Sequence, residues 1–275
     1  MTSSLPTLRE IREAHSWKRS YERFLLVSRF IFRPVSFLVT WLAIRIGMTS
    51  EAVSWLSGVV GLTGCIFLIS RNETLLVAGI GLLLLFNLLD CVDGSIARTM
   101  KTENPYGRFL DSICGGIIDL IFWAVVGVMA FRNPEYLLIQ KIAPVPEFTW
   151  LIIGSLTCFL SIWLGYLEQT FDSLLRPTWE MPGVSENTSS PHLNIQQDTP
   201  DAVYRIANVV RIINHNLRVR ETHYMILLIA FMGGSIDLFL VIFFLYYLLS
   251  NIVLMVIYSL RGAKVKKSFT KKSDR

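Results

Sequence analysis

Long uncharged apolar runs restrict this chain to one kind of architecture. Several stretches of about 18 or more residues lack charge, which is the length needed to cross hydrocarbon. The composition agrees. Of 275 residues, 52% are hydrophobic and 17% charged, with a mean hydropathy of +0.49. A soluble domain can be this apolar overall, but not in runs this long. The expected fold is therefore all-α: a polytopic membrane protein. The net charge of +5 sits mostly near the ends of the runs. It reads as topology and lipid-headgroup contact, and it excludes nucleic acid as a partner.

The runs divide the chain into an N-terminal region (1–49), a membrane domain (50–262) and a basic tail (263–275). From Leu5 to Leu26 charged residues such as Arg9, Glu10, Arg12 and Glu13 alternate with Leu8, Ile11, Trp17 and Tyr21. That pattern predicts an amphipathic helix lying on the membrane surface. Residues 30–46 carry Arg33, Pro34 and Arg45, which suits a short interfacial helix better than a crossing. Six spans follow. The first covers 50–70, with Thr49 or Ser50 as its cap and Glu51 at its favourable positive end. The next three cover 75–97, 107–131 and 148–171. A polar loop fills 172–202 and a second surface helix 204–217, together a cytoplasmic segment of about 172–220. The run 222–260 is too long for one crossing and breaks at Gly233-Gly234-Ser235-Ile236-Asp237.

Lysine and arginine placement sets the orientation. Arg98, Lys101, Arg108, the 172–220 segment, the N-terminal helix and the tail share one side, against Arg71, Arg132 and Lys141 on the other. Both termini are expected in the cytoplasm, in the cell (inner) membrane. The polar start shows no cleavable signal. The four cysteines, Cys65, Cys91, Cys114 and Cys158, lie in apolar segments without CxxC spacing and read as small buried hydrophobes.

One stretch breaks the apolar pattern in an organised way. Asp90 and Asp93 are three apart at the end of the second span, and Gly94, Ala97 and Arg98 follow. After a polar turn at Asn104-Pro105 come Gly107, Asp111, Gly115 and Asp119, each four after the last. Residues four apart share a helix face, so two helices each carry a stripe of carboxylates and small residues. Carboxylates at membrane depth are costly and mark functional sites.

These residues resemble the signature of the CDP-alcohol phosphotransferases, D-x2-D-G-x2-A-R-x8-G-x3-D-x3-D. Asp90, Asp93, Gly94, Ala97, Arg98, Gly107 and Asp111 fall in place, and the last Asp is replaced by Gly115. Upstream, where the family shows Thr-Pro-Asn-x-x-Thr, this chain reads Thr49, Ser50, Glu51, Ala52, Val53, Ser54. The resemblance implies a metal-dependent enzyme that moves a substituted phosphate group from a CDP-linked donor to an alcohol or phosphate acceptor. CMP is released, in phospholipid or lipid-linked glycan synthesis. It implies Mg²⁺ or Mn²⁺ at Asp90, Asp93 and Asp111, with the CDP moiety against Asp93, Gly94, Ala97, Arg98 and Gly107. The implied partners are the CDP-linked donor, a lipid or alcohol acceptor, membrane lipids and a second copy of the chain.

The residues themselves fit that chemistry. Aspartates are hard oxygen ligands, and crowded carboxylates need cations. Gly94 and Ala97 let a nucleotide approach their helix, and Arg98 suits phosphate. In the family, the residue replaced by Gly115 deprotonates the acceptor, beside Asp111. Three readings stay open. Asp119 substitutes as the base, about 6 Å further along the axis. No base is needed, because the acceptor is already ionised or is otherwise activated. Or the chain is a weak or inactive relative that binds nucleotide or lipid.

Weaker candidates are Arg45, Arg176, Arg211, Arg218 and Arg220 as a basic pocket for phosphate, each otherwise an interfacial arginine. Glu168 and Asp172 either face the cavity or mark an exposed helix end. His215 and His223 read as surface or interfacial polar residues, and no histidine has metal-ligand spacing.

Overall fold

The computed structural model describes residues 5–16, 24–175, 209–210 and 212–273, whose regular structure is entirely helical. Of the expected loop at 172–202, residues 172–174 continue the preceding helix and 176–202 lie outside the described residues, as do Arg176, His192 and Arg211. Of the expected 204–217 helix, residues 209–210 and 212–217 are described and are helical.

Helix α1 (Leu8–Ala14) opens with a capping box, in which Thr7 N donates to Glu10 Oε2 (2.7 Å) and Glu10 N to Thr7 Oγ1 (3.3 Å). Those bonds, the backbone one first, hold the Glu10 carboxyl below its usual range. Ile11 is buried while Arg9, Glu10, Arg12 and Glu13 are exposed. The helix is thus two-faced but shorter than the expected 5–26. It ends at Ala14, His15 is buried edge-on against Phe37, and residues 17–23 lie outside the described residues. A π-turn (Ser28–Phe32) leads into α2 (Arg33–Arg45), with Pro34 in its first turn, where no amide donor is needed.

The membrane helices follow: α3 (Ser50–Leu68), α4 (Glu73–Met100), α5 (Pro105–Arg132), the short α6 (Leu138–Ile142), α7 (Thr149–Leu174), α8 (Arg220–Met232) and α9 (Ile236–Ser273). Their ends are set by polar caps. Thr49 Oγ1 accepts from Ala52 N (3.2 Å) and Asn72 Oδ1 from Thr74 N (2.8 Å). Lys101 leaves α4 in the left-handed region (φ 56°), and Asn104 then caps α5 ahead of Pro105. The break expected at Gly233-Gly234 is present, with Gly234 at φ +60°. Asp237 beyond it is buried and accepts from Leu138 N (2.9 Å) and Gln140 N (3.0 Å), which ties α6 to the start of α9.

Five of the described helices are long and apolar enough to cross a membrane: α3, α4, α5, α7 (with Phe148) and α9 as far as Ala263. The expected fifth crossing is represented by α8. It has 13 residues and a length of about 20 Å, against roughly 30 Å of hydrocarbon.

Packing brings α3 against α4 and α5, α5 against α7, α7 against α9, and α8 against α4 and α9. Small residues permit close approach. A Cβ on Gly154 would stand 2.6 Å from Gly127 Cα, so α5 and α7 touch backbone to backbone. Next to that contact Trp123 is surrounded by Phe239, Phe243 and Tyr247, with ring centroids 4.8–5.6 Å apart.

Candidate active site

The two acidic stripes meet where α4 faces α5, and α3 and α8 close the flanks. Asp93 is buried toward α3. Its Oδ2 accepts from Ser54 Oγ at 2.6 Å, its Oδ1 from the amide of Gly94, and its carbonyl from Ser50 Oγ at 3.0 Å. Asp93 also lies within electrostatic reach of Asp90 and Asp111. Asp111 is on the exposed side of α5, two turns from its start. That start is fixed by Asn104, whose Oδ1 accepts from Gly107 N (2.7 Å) and whose Nδ2 donates to Glu51 Oε1 (2.8 Å).

Asp90 and Asp119 belong to the other side of the stripe, and both line a cavity of about 550 Å³ between α4, α5, α7, α8 and α9. Between them stands Arg220, the first residue of α8. Its Nη1 donates to Asp90 Oδ1 (3.3 Å), and its Nε is 3.7 Å from Asp119 Oδ1. The guanidinium carbon lies 5.4 Å from the centre of the Phe86 ring. The Asp119 side chain keeps 51% of its surface exposed, so it remains open to the cavity.

Glycines make room for arginines on both stripes. A Cβ on Gly94 would stand 3.1 Å from Arg98 Nη1, and one on Gly115 only 2.9 Å from Arg220 Nη1 and 3.0 Å from Nη2. The position that departs from the signature is thus the one against which Arg220 lies. At Gly107 a Cβ would be in ordinary contact with the Asn104 amide, and Gly116 opens onto the cavity.

The expected basic pocket is only partly assembled. Arg218 and Arg220 line the cavity, and Arg218 Nη2 pairs with Glu168 Oε2 at 2.6 Å. Arg45 instead lies over the Trp41 ring, 3.8 Å from its centre. His223 corrects the sequence reading. It is buried, 6% exposed, among Phe122, Trp123 and Phe243. Its Nε2 donates to the Leu217 carbonyl (2.8 Å), which satisfies the polar edge and lets the ring pack as an aromatic. His215 is half-buried.

A divalent ion is implied at Asp90, Asp93 and Asp111. Among the described residues no three His, Cys, Asp or Glu side chains are grouped so as to hold a metal ion. Asp90 faces a guanidinium, and both Asp93 oxygens accept protein hydrogen bonds. As arranged here, the three carboxylates do not fit as a ligand set.

The sequence singles out Arg220 for a phosphate pocket and Ser54 as the last position of the upstream motif, but it shows neither residue's pairing with the aspartates. The pairing of Arg220 with Asp90 joins residues 130 positions apart, and no local pattern signals it.

A search of curated proteins returns no match. The family model described as CDP-alcohol phosphatidyltransferase matches residues 27–171, more than half of the chain, from the π-turn to the end of α7 and across both acidic stripes. With its stacked apolar helices and its paired stripes, the chain belongs to the CDP-alcohol phosphatidyltransferase family, membrane transferases of phosphorus-containing groups.

Proposed function

We propose that this protein transfers the substituted phosphate of a CDP-linked donor to a hydroxyl acceptor at the α4–α5 stripe and releases CMP. The observation that carries the reading is the cavity beside the stripe. Two signature-face carboxylates, Asp90 and Asp119, open into it together with Arg218 and Arg220. The nucleotide lies against Gly94, Ala97 and Gly107, where side chains are smallest, with Arg98 on its phosphates. The acceptor occupies the cavity.

In the transfer, the acceptor oxygen forms a bond to the donor phosphorus that bears the alcohol. The bond from that phosphorus to the oxygen of CMP breaks, and CMP leaves with the electron pair. Asp119 takes the acceptor proton in this reading, because it is the carboxylate that faces the cavity one turn beyond Gly115. Asp111 positions the phosphate end from the cytoplasmic turn of α5. Family members generally use a divalent ion, so the assay below supplies one. In this reading α8, packed on α4 and α9, stands for the fifth of six crossings, and α9 is the sixth, which returns the chain to the side of its N-terminus. The site then opens to the cytoplasm in a membrane that also holds the lipid product.

The test is CMP release by purified protein in detergent with Mg²⁺ or Mn²⁺. CDP-diacylglycerol and small CDP-alcohols serve as donors, with and without total lipid extract as acceptor. Release from one donor is expected, with Asp90→Asn abolishing it and Asp119→Asn slowing it about 10²–10⁴-fold. Binding of CDP compounds without release overturns the enzyme reading in favour of a nucleotide-binding membrane protein. Release that is indifferent to Asp119→Asn removes that residue from the proton's path.

A further inference from the structure

Four observations converge on Arg220. It bridges Asp90 and Asp119, which come from different helices. Its guanidinium fills the space beside Gly115, where a side chain would start 2.9 Å from Nη1. Its partner Asp90 belongs to the carboxylates for which a divalent ion is implied, yet those carboxylates are not grouped around a metal position. Finally, Arg220 lies outside the residues matched to the family, which end at 171.

We infer that Arg220 is a built-in cation, which occupies one of the positive-ion positions of the carboxylate cluster and makes Gly115 the residue that fits beside it. The inference rests on the transfer reading for its meaning, since it explains how a chain with one signature carboxylate fewer keeps its site neutralised. The charge argument is direct. Crowded carboxylates at membrane depth require positive charge close by. A guanidinium supplies it permanently, since it does not lose its proton in proteins. Its forked donors reach two carboxylates at once, and the Phe86 ring adds a face for the cation. A carboxylate at position 115 would restore the acidic ligand and would also draw Arg220 out of its present pairing. Glycine and arginine at these positions therefore form a matched pair. Arg220 acts through Asp90 and Asp119, so it is a positioning residue.

The experiment counts bound Mn²⁺ per chain, by the loss of the free-ion electron paramagnetic resonance signal, with no nucleotide present. It compares wild type, Arg220→Lys, Arg220→Gln and the double variant Arg220→Gln/Gly115→Asp. Arg220→Lys keeps the charge and should match the wild-type count. Arg220→Gln should bind one Mn²⁺ more than the wild type, and the double variant should bind that ion roughly tenfold more tightly, as an added carboxylate ligand gives. Equal counts in all four proteins overturn the inference, as does a gain in Arg220→Lys. If Arg220→Gln does not fold, the double variant alone decides, because its restored carboxylate supports the incoming ion. CMP release by the wild type reports separately on the transfer reading. A protein that releases CMP but shows no change in count loses the inference and keeps the function. One that gains an ion but never releases CMP does the reverse.

Discussion

Ser54 Oγ donates to Asp93 Oδ2 at 2.6 Å, both groups buried, and this bond fastens α3 to the acidic stripe of α4. Removing the donor leaves a buried carboxylate oxygen without that partner, which costs about 1–3 kcal/mol. Ser54→Ala is expected to lower the thermal midpoint in detergent and to weaken CDP binding, because Asp93 is then free to turn. Ser54→Thr keeps the hydroxyl and should recover most of both. Titration of CDP alongside thermal unfolding separates the two effects, and unchanged CDP affinity in Ser54→Ala would show that Asp93 is held by other means.

Asp237 should matter for stability and not for chemistry. Its two oxygens accept from the amides of Leu138 and Gln140, on the far side of the molecule from the Asn104 turn. Asp237→Ala orphans both amides, at about 1–3 kcal/mol for each unsatisfied group. The expected result is a clear loss of thermal stability with CDP affinity within twofold of the wild type.

The backbone contact between Gly127 and Gly154 predicts intolerance to any side chain. A Cβ at 154 would meet Gly127 Cα at 2.6 Å and the Trp123 carbonyl at 2.8 Å. Neither neighbour is a flexible side-chain end, so α5 and α7 must separate. Gly154→Val is expected to destabilise by about 1–3 kcal/mol or more, whereas Gly165→Val on the same helix, where a Cβ meets nothing within 4 Å, should be near neutral. Denaturant titration of the two variants side by side is the check.

Asn104 joins two jobs in one side chain. As the cap of α5 it contributes about 0.5–2 kcal/mol, and through Glu51 it couples the start of α3 to the start of α5. Asn104→Ala should lose both, and Asn104→Asp should keep the cap while placing a second acid beside Glu51. The Asp variant is therefore expected to be nearly as stable as wild type at about pH 3.5, where the two acids are largely protonated, and less so at about pH 7, where both are charged. A flat stability profile across that range would disprove the coupling to Glu51.

The elements most legible in the sequence were those whose cause is local. The helix start at Thr49 follows from its cap, the turn before the third span from Asn104-Pro105, and the two stripes from residues three and four apart. What escaped notice has its cause across the fold. His223 looks polar in isolation, but its edge is satisfied by a carbonyl six residues back and its faces are covered by helices α5 and α9. In the sequence Gly115 reads as an omission; in the fold Arg220, from a distant helix, lies against it.

That distance along the chain has a temporal side. Asp90 and Asp119 are synthesised and threaded into the bilayer before the cation that pairs with them has been translated. A nascent chain halted before residue 220 holds its acids without Arg220 and must borrow positive charge from elsewhere or leave them protonated. The last two helices therefore act as the step that completes assembly, and a truncated product should be recognised by quality control as unfinished even though both stripes are intact.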